Sequence, residues 1–208
     1  MKTDCSFNSE DESFDQDTEE EIKIIKKPVA DIENISIIRT INDILISILE
    51  KNRNLYDCEE IYKKQKSLCF NSNCIPNISL YEYLIRIQKY TLIEKSTWIL
   101  ALIYIDRLCR LGKIILTCYN IHRILFTAVL LAIKYNEDNF FENEYYAKIA
   151  GVKNFELVNL EYNFFYKCNF DMYVDEETFG KYCKYINSNN NDNDNDNDDD
   201  NKIKKLFF

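Results

Sequence analysis

Two strongly apolar segments, residues 95–111 and 118–136, constrain the fold more than any other feature of this sequence. From Trp98 to Ile105 the first segment is apolar on every side, a pattern typical of a helix that other elements surround. The longest uninterrupted apolar run, around residues 124–133, is shorter than the roughly 20 residues that a membrane-spanning helix needs. We therefore expect the two segments to form the buried centre of a globular helical domain.

Helical spacing of apolar residues continues through most of the chain and predicts an all-α fold. The whole chain contains only three glycines and two prolines, so residues that favour turns are scarce. Ile38, Ile41, Leu45 and Ile48 recur at the spacing of three and four residues that defines an amphipathic helix. Besides the two central segments, the pattern predicts helices over residues 30–51, 79–90, 143–150, 154–168 and 175–186, with a polar loop over about 52–78.

Three residues indicate where predicted helices begin or end. Thr117 is predicted to cap the helix over 118–136, because its hydroxyl can accept a hydrogen bond from an unpaired amide of the first turn. Asn154 is predicted to cap the helix that follows it for the same reason. Gly151 is predicted to close the helix over 143–150, since glycine readily adopts the left-handed conformation at a helix end.

The acidity of the chain belongs to its termini. The formal net charge is −9, but residues 1–21 hold nine acidic residues and residues 187–201 hold six, which leaves 20 acidic and 22 basic residues over 22–186. Both terminal segments are too polar to offset the entropy of ordering, so we expect disordered tails over 1–28 and 187–208 around one domain over 29–186. A central charge near +2 favours neither nucleic acid nor a membrane surface as a partner.

The nucleophilic and metal-binding residue types form no recognisable site. The eight cysteines include no C-x-x-C pair, and the chain has a single histidine, His122. We expect reduced cysteines, an intracellular location in nucleus or cytoplasm, and a structural hydrogen bond for His122. No catalytic residue, metal ligand or cofactor is predicted, because no nucleophile with an adjacent base and no phosphate-binding glycine loop is present.

Two charged residues fall in or beside apolar helical stripes and call for partners. Asp106 closes the all-round apolar run, and Arg86 lies beside the stripe of the preceding helix. A buried carboxylate is costly unless it is satisfied, and a guanidinium can satisfy it with two hydrogen bonds. We expect an ion pair between Arg86 and Asp106; the alternative is that each side chain reaches solvent independently.

A second pair of charges lies at the edges of two core helices. Glu161 interrupts an apolar stripe formed by Leu157, Phe164 and Phe165, where an acid needs a partner. Lys134 follows the most apolar helix, where it either pairs with Glu161 or simply stays solvated and stabilises the helix dipole. In the first case the two side chains would present donors and an acceptor to another protein.

The order and spacing of these segments resemble the cyclins, specifically the single-box P- and U-type cyclins associated with phosphate pathways. The likeness covers about residues 30–186. The resemblance implies a five-helix cyclin box, with its core at about residues 79–170, an extra N-terminal helix and a short C-terminal helix. The segments that carry it are PNISLYEYLIRIQKYT (76–91), ILALIYIDRL (99–108), NIHRILFTAVLLAIKYNED (120–138), NEYYAKIAGV (143–152) and NLEYNFF (159–165).

The resemblance implies that the chain is a regulatory subunit that binds a cyclin-dependent protein kinase as a heterodimer and activates it. Lys134 and Glu161 match the family's lysine and glutamate that contact the kinase near its αC helix. Arg86 and Asp106 match the family's internal ion pair. YLIRI (83–87) departs from the substrate-docking patch of two-box members, so this route of substrate docking is not expected.

Two other functions remain open at this stage. A cyclin-like fold also occurs in transcription factors, which would be expected to show a basic face and usually paired repeats. A plain helical scaffold would use all four charges for stability alone. The scaffold predicts that changing Lys134 and Glu161 affects nothing beyond folding.

Overall fold

The structure is a computed structural model, and it describes residues 31–55, 65 and 69–188. Within these residues the chain forms seven α-helices and no β-strand, which confirms the predicted all-α fold class. Helices α2–α6 correspond to the predicted five-helix box, and α1 and α7 to the additional terminal helices. In chain order the helices are α1 (Asp31–Leu55), α2 (Leu80–Thr91), α3 (Lys95–Gly112), α4 (Ile121–Asn136), α5 (Asn143–Ala150), α6 (Asn154–Lys167) and α7 (Glu176–Ser188).

Helices α3 and α4 form the centre of the domain and pack directly against each other. The other helices surround this pair: α1 packs on α2 and α3, α6 on α4, and α7 on α3. Trp98, Tyr104 and Phe126 are among the largest fully buried side chains. A helix that is apolar all round requires such neighbours, because any side left open would expose a large apolar area to water.

The start of α2 is fixed by reciprocal hydrogen bonds between Ser79 and Glu82. The Glu82 amide donates to the Ser79 hydroxyl at 3.2 Å, and the Ser79 amide donates to the Glu82 carboxylate at 3.0 Å. This capping box satisfies two amides that the first helical turn leaves unpaired. It places the start of α2 at Leu80, one residue after the predicted boundary.

The prediction that Thr117 caps α4 is wrong. Residues 118–120 form a turn in which the amides of Asn120 and Ile121 donate to the Thr117 carbonyl, at 3.1 and 3.0 Å, and the helix begins at Ile121. The Asn120 carboxamide accepts from the Thr117 amide at 2.8 Å and donates to the Ile115 carbonyl at 3.0 Å. A buried amide that pairs with two backbone groups therefore shapes this connection in place of a hydroxyl cap.

The predicted boundaries around α5 and α6 are partly correct. Gly151 closes α5 in the left-handed conformation with φ of 71°, as predicted. Asn154 does not cap α6, because it is already the first helical residue after Lys153, and no side chain caps this helix. Asp175 caps α7, since its carboxylate accepts from the Thr178 amide at 2.7 Å.

Several sequence expectations lie largely outside the described residues. These are the disordered tail over 1–28, most of the tail over 187–208 and much of the loop over 52–78. Where the two overlap, α1 continues through Leu55, four residues beyond its predicted end, and α7 through Ser188, two residues beyond its predicted end. The helical segments therefore extend a few residues beyond both predicted limits.

Candidate functional site

Lys134, Asn143 and Glu161 form a closed ring of hydrogen bonds, which we call the triad. Lys134 Nζ donates to Glu161 Oε1 at 2.6 Å and to Asn143 Oδ1 at 2.6 Å. Asn143 Nδ2 donates to Glu161 Oε2 at 2.6 Å. Each carboxylate oxygen thus has a donor, so the pairing of Lys134 with Glu161 predicted from the sequence is present.

Three different helices position the triad. Lys134 lies in the last turn of α4, Asn143 is the first residue of α5, and Glu161 lies in the middle of α6. The Lys134 side chain is 28% exposed and the Glu161 side chain 10%. The ring therefore sits at the margin of the core and is partly open to solvent.

An exposed apolar stripe runs along α6 next to the triad. Phe155, Val158, Tyr162 and Tyr166 repeat at spacings of three and four residues, and all four are exposed, with Phe155 74% accessible. At about 100° per helical residue, Val158 lies about 60° and Tyr162 about 100° from Glu161 around α6, both on the same side of it. We call these four residues the α6 stripe. Large side chains grouped on a surface in this way are typical of a protein interaction site.

A second aromatic group continues the surface beyond the end of α6. Phe165 and Phe170 stack with ring centroids 6.4 Å apart and an interplanar angle of 11°. Phe170 has a left-handed backbone with φ of 58°, and its amide donates to the Phe165 carbonyl at 2.8 Å. Arg107 holds the following segment by donating to the carbonyls of Asp171 and Tyr173, at 2.6 and 2.9 Å. Packing thus holds a large aromatic side chain in an uncommon conformation, with 62% of Phe170 exposed.

The prediction of an ion pair between Arg86 and Asp106 is wrong. Arg86 Nη2 donates to the Lys148 carbonyl near the end of α5, at 3.2 Å. Tyr83, on the same helix, donates through its hydroxyl to the Ala150 carbonyl at 3.3 Å. Arg86 therefore binds a carbonyl in the last turn of α5, which also accepts from the Gly151 amide, and it faces α5 rather than the Asp106 side of α3.

Asp106 is satisfied by other residues of α3 and α7. It is 4% exposed, accepts a hydrogen bond from Tyr182, and lies 3.7 Å from the Arg110 guanidinium. Burial raises the pKa of the Asp106 carboxyl group, and the hydrogen bond from Tyr182 and the charges of Arg110 and Arg107 offset part of that effect. The sequence correctly indicated that Asp106 needs a partner but not which residue supplies it.

His122 has the structural role expected from the sequence. Its Nε2 atom donates to the Ile78 carbonyl at 3.2 Å, and its ring lies edge-on to Tyr83 with centroids 5.0 Å apart. Burial lowers the pKa of His122, while the hydrogen bond to Ile78 opposes that shift. The hydrogen bond from His122 thus holds the segment before α2 against helix α4.

A pocket of about 400 Å³ lies between the C-terminal ends of α1 and α3. Its lining is mainly apolar, with Asn52 and Asp106 as its buried polar groups. Asn52 donates to the Leu116 carbonyl at 3.0 Å, and Asp106 is held by Tyr182 and Arg110. These polar groups already have protein partners, so the pocket does not resemble a site prepared for chemistry.

The described residues contain neither a candidate metal site nor a candidate membrane-spanning helix. No group of three or more His, Cys, Asp or Glu side chains in the described part of the chain has the arrangement of a metal site. Among the same residues, no helix combines the length and hydrophobicity that crossing a lipid bilayer requires.

Comparison with known proteins places this arrangement of helices in a family. The family model described as Cyclin matches residues 9–172. Cyclin-P3-1 of Oryza sativa subsp. japonica is 36% identical over 135 residues, which cover 65% of this chain and 56% of that protein. Cyclin-U4-3 of Arabidopsis thaliana is 32% identical over 163 residues, 78% of this chain and 71% of that protein. PHO85 cyclin-7 of Saccharomyces cerevisiae is 27% identical over 201 residues, 88% of this chain and 70% of that protein.

These matches settle the class of protein. The described residues form an all-α box with a charged ring at its margin. The chain belongs to the cyclin family, and the predicted likeness to P- and U-type cyclins is confirmed. The aligned region spans little more than half of the rice relative's length.

Sequence reasoning missed Asn143, Tyr182 and the α6 stripe. Asn143 was read only as the first residue of a short helix, and nothing in its immediate neighbours indicates contact with residue 161. Tyr182 lies more than 70 positions from Asp106, too far for a local pattern to connect them. The α6 stripe was detectable, because Phe155, Val158, Tyr162 and Tyr166 lie on a different face of the predicted helix from Leu157 and Phe164.

Proposed function

We propose that this chain is a regulatory subunit that binds a cyclin-dependent protein kinase as a heterodimer, using the triad and the α6 stripe, and thereby activates it. The observation that carries the proposal is the ring formed by Lys134, Asn143 and Glu161 beside exposed aromatic residues. Membership of the cyclin family supports it independently, since the triad's lysine and glutamate are the residues at which the family resemblance implies kinase contact.

The composition of this surface suits a protein partner. Protein interfaces are enriched in aromatic side chains, and their strongest contacts are commonly aromatic residues that fill pockets on the partner. Tyr162 and Tyr166 supply large apolar area together with a hydroxyl, and Phe155 supplies apolar area alone. The triad at the edge of this area supplies directional hydrogen bonds that set the orientation of the partner.

The proposed mechanism requires no chemistry by this chain. A kinase is active when its αC helix is turned inward, so that the conserved Lys–Glu ion pair forms and the metal-binding loop aligns. A rigid helical surface that binds the inward position of αC more tightly than the outward one shifts the kinase equilibrium towards the active state. The size of the shift is set by the difference between the two affinities. The packed helices α4 and α6 provide such a surface, and no cofactor is needed.

The test uses purified cyclin-dependent kinases encoded by the same genome, each measured separately with the full-length chain. Surface plasmon resonance reports affinity, and phosphorylation of a Ser-Pro peptide reports activation. The variant is Lys134→Ala/Glu161→Ala. The matched control is Lys181→Ala/Glu177→Ala, which removes another Lys–Glu pair, with a distance of 2.8 Å, from exposed positions on α7.

We expect at least one kinase to bind the wild-type chain and to gain activity. The Lys134→Ala/Glu161→Ala variant should bind that kinase at least about 30-fold more weakly, because truncating groups of a hydrogen-bonded charge pair in an interface costs about 2 kcal/mol or more. The control pair should change affinity less than twofold. If no kinase binds the wild-type chain, or if the folded triad variant binds as well as wild type, the proposal is wrong and the scaffold function gains support.

A further inference from the structure

Asn143 is the one neutral member of the triad and contacts both charged members. Its carbonyl oxygen accepts from Lys134, and its amide nitrogen donates to Glu161, each at 2.6 Å. An uncharged carboxamide can serve a cation and an anion at the same time, because it carries an acceptor and a donor on adjacent atoms. A carboxylate at this position would repel Glu161, and an alanine would leave the second Glu161 oxygen without its donor.

The backbone that carries Asn143 is anchored at the opposite end of its helix. Helix α5 has only eight residues, and Tyr83 and Arg86 of α2 donate to the carbonyls of Ala150 and Lys148 at its end. A third bond joins the two helices, since the Tyr145 hydroxyl donates to the Tyr90 carbonyl at 2.7 Å. Helix α2 thus fixes α5, and α5 fixes the position of Asn143 at the edge of the core.

This arrangement limits the freedom of two long side chains. A partly exposed lysine and a glutamate at a helix margin each lose rotamer entropy on pairing, and an isolated pair of this kind contributes little to stability. With Asn143 in place, both Glu161 oxygens and two of the three Lys134 donors are occupied by groups within the domain. The charged pair is therefore held in one geometry before a partner arrives, which lowers the entropic cost of binding.

We propose that Asn143 is a positioning residue for the kinase-binding surface: it orients Lys134 and Glu161 for the partner while α2, through Arg86 and Tyr83, holds Asn143 in place. This inference rests on the proposed function. It assigns to Arg86 the task of fixing α5, in place of the predicted ion pair with Asp106.

The principal test compares three variants of the full-length chain for affinity to the kinase that binds wild type in the panel described above. Asn143→Ala removes both hydrogen bonds of the amide. Asn143→Asp keeps an acceptor for Lys134 but faces Glu161 with a second carboxylate. Asn163→Ala is the matched control, because its amide bonds only to Asn159 of the same helix, at 2.8 and 2.9 Å.

Asn143→Ala should weaken binding about tenfold, Asn143→Asp by at least as much, and Asn163→Ala less than twofold. The aspartate variant separates positioning from helix initiation, because an acid in the first turn of α5 would favour the helix dipole. If Asn143 served only to start α5, Asn143→Asp would bind like wild type. That result, or wild-type affinity for Asn143→Ala, would overturn the proposal while leaving the kinase function intact.

A second measurement keeps the inference testable if no kinase binds. Urea unfolding midpoints are measured for Lys134→Ala, Glu161→Ala and the double variant. The difference between the midpoint shift of the double variant and the sum of the two single shifts measures the coupling between the two side chains. The same set is then measured with Asn143→Ala present in every chain. We expect the non-additive shift to fall to less than half. An unchanged coupling would show that Asn143 does not position the pair.

Discussion

Asp106 and Glu161 are both carboxylates that the fold buries, but the groups that hold them differ in their surroundings. Asp106 is held by Tyr182 on α7, itself buried, and by Arg110 one turn further along α3. Glu161 is held by Lys134 and Asn143 at a margin that adjoins exposed aromatic residues. The comparison teaches that neither the burial of an acid nor the exposure of its basic partner reveals its role, because the side chain of Arg110 is 63% exposed and that of Lys134 28%. The two groups differ instead in the exposed aromatic residues of α6 that adjoin Glu161.

This difference separates a group that supports the fold, at Asp106, from a group that a partner could contact, at Glu161. The Asp106 group joins α3 to α7, and both Asp106 and Tyr182 are buried. The Glu161 group joins α4, α5 and α6 beside the exposed α6 stripe, with 28% of the Lys134 side chain accessible. We therefore expect changes at Asp106 to alter the stability of the fold, and changes at Glu161 to alter the binding of a partner.

The largest expected effect on stability comes from Tyr182→Phe. Removing the hydroxyl leaves the Asp106 carboxylate buried without its hydrogen bond, and bonds to charged groups contribute about 1.5–3 kcal/mol. We expect the free energy of unfolding to fall by about 2 kcal/mol at neutral pH, measured by urea denaturation.

Tyr173→Phe is the control for this prediction, because it deletes a hydroxyl from a side chain that is largely exposed. It should change the free energy of unfolding by less than about 0.5 kcal/mol, as is usual for surface substitutions. Equal losses in the two variants would contradict the assignment of Asp106 to an internal support.

A smaller effect distinguishes the two acids by binding. Glu161→Gln keeps the shape of the side chain but replaces one carboxylate oxygen with an amide nitrogen. That nitrogen cannot accept a hydrogen bond from Lys134 or Asn143, so one bond of the ring is lost. Affinity for the kinase should fall about tenfold, or about 1.4 kcal/mol, by isothermal titration calorimetry. The equivalent change Asp106→Asn should leave the affinity of the folded protein within twofold of wild type. A comparable loss of affinity in both variants would remove the distinction between the two sites.

The smallest expected effect concerns pH. The pKa of Asp106 is raised in the folded protein above its ordinary value of 3.8, so the folded state binds the proton more tightly than the unfolded state. Its contribution to stability is therefore most favourable at acid pH and declines as the pH rises through the folded pKa. The difference in unfolding free energy between wild type and Asp106→Asn should accordingly shift against wild type from pH 3 to pH 7.

Urea unfolding of both proteins across this range provides the measurement. The comparison with Asp106→Asn cancels the titration of the other carboxylates to first order, since the two chains differ at one position. A difference that moves in favour of wild type as the pH rises would mean that attraction to Arg110 and Arg107 outweighs burial.

The sequence predicted the helices well and their ends less well. Helices α3 and α4 follow from apolar residues at helical spacing, a property that neighbouring positions reveal. Thr117 and Asn154 were wrong as caps because several polar residues near a helix start can occupy that position. At α4 that position is held by Asn120, whose amide pairs with backbone groups of Ile115 and Thr117 that come within reach only when the connection before α4 has folded.

The candidate site was predicted in part. Glu161 drew attention because an acid interrupts an apolar stripe, and Lys134 because it ends an apolar helix. Their pairing needed both helices to be packed side by side. Asn143 gave no comparable signal, since an asparagine at the beginning of a short helix is common for local reasons.

What the sequence by itself determined is the set of helices, their buried faces and the charged residues that require a partner, because all three depend on spacing within one helix. Only the tertiary structure decided which partners they have. Arg86 contacts the end of α5 and Asp106 contacts Tyr182, although both charges were expected to meet each other. The physical reason is that the rotation of each helix about its own axis is set by packing across the core, and a long side chain binds the acceptor that this rotation brings within reach.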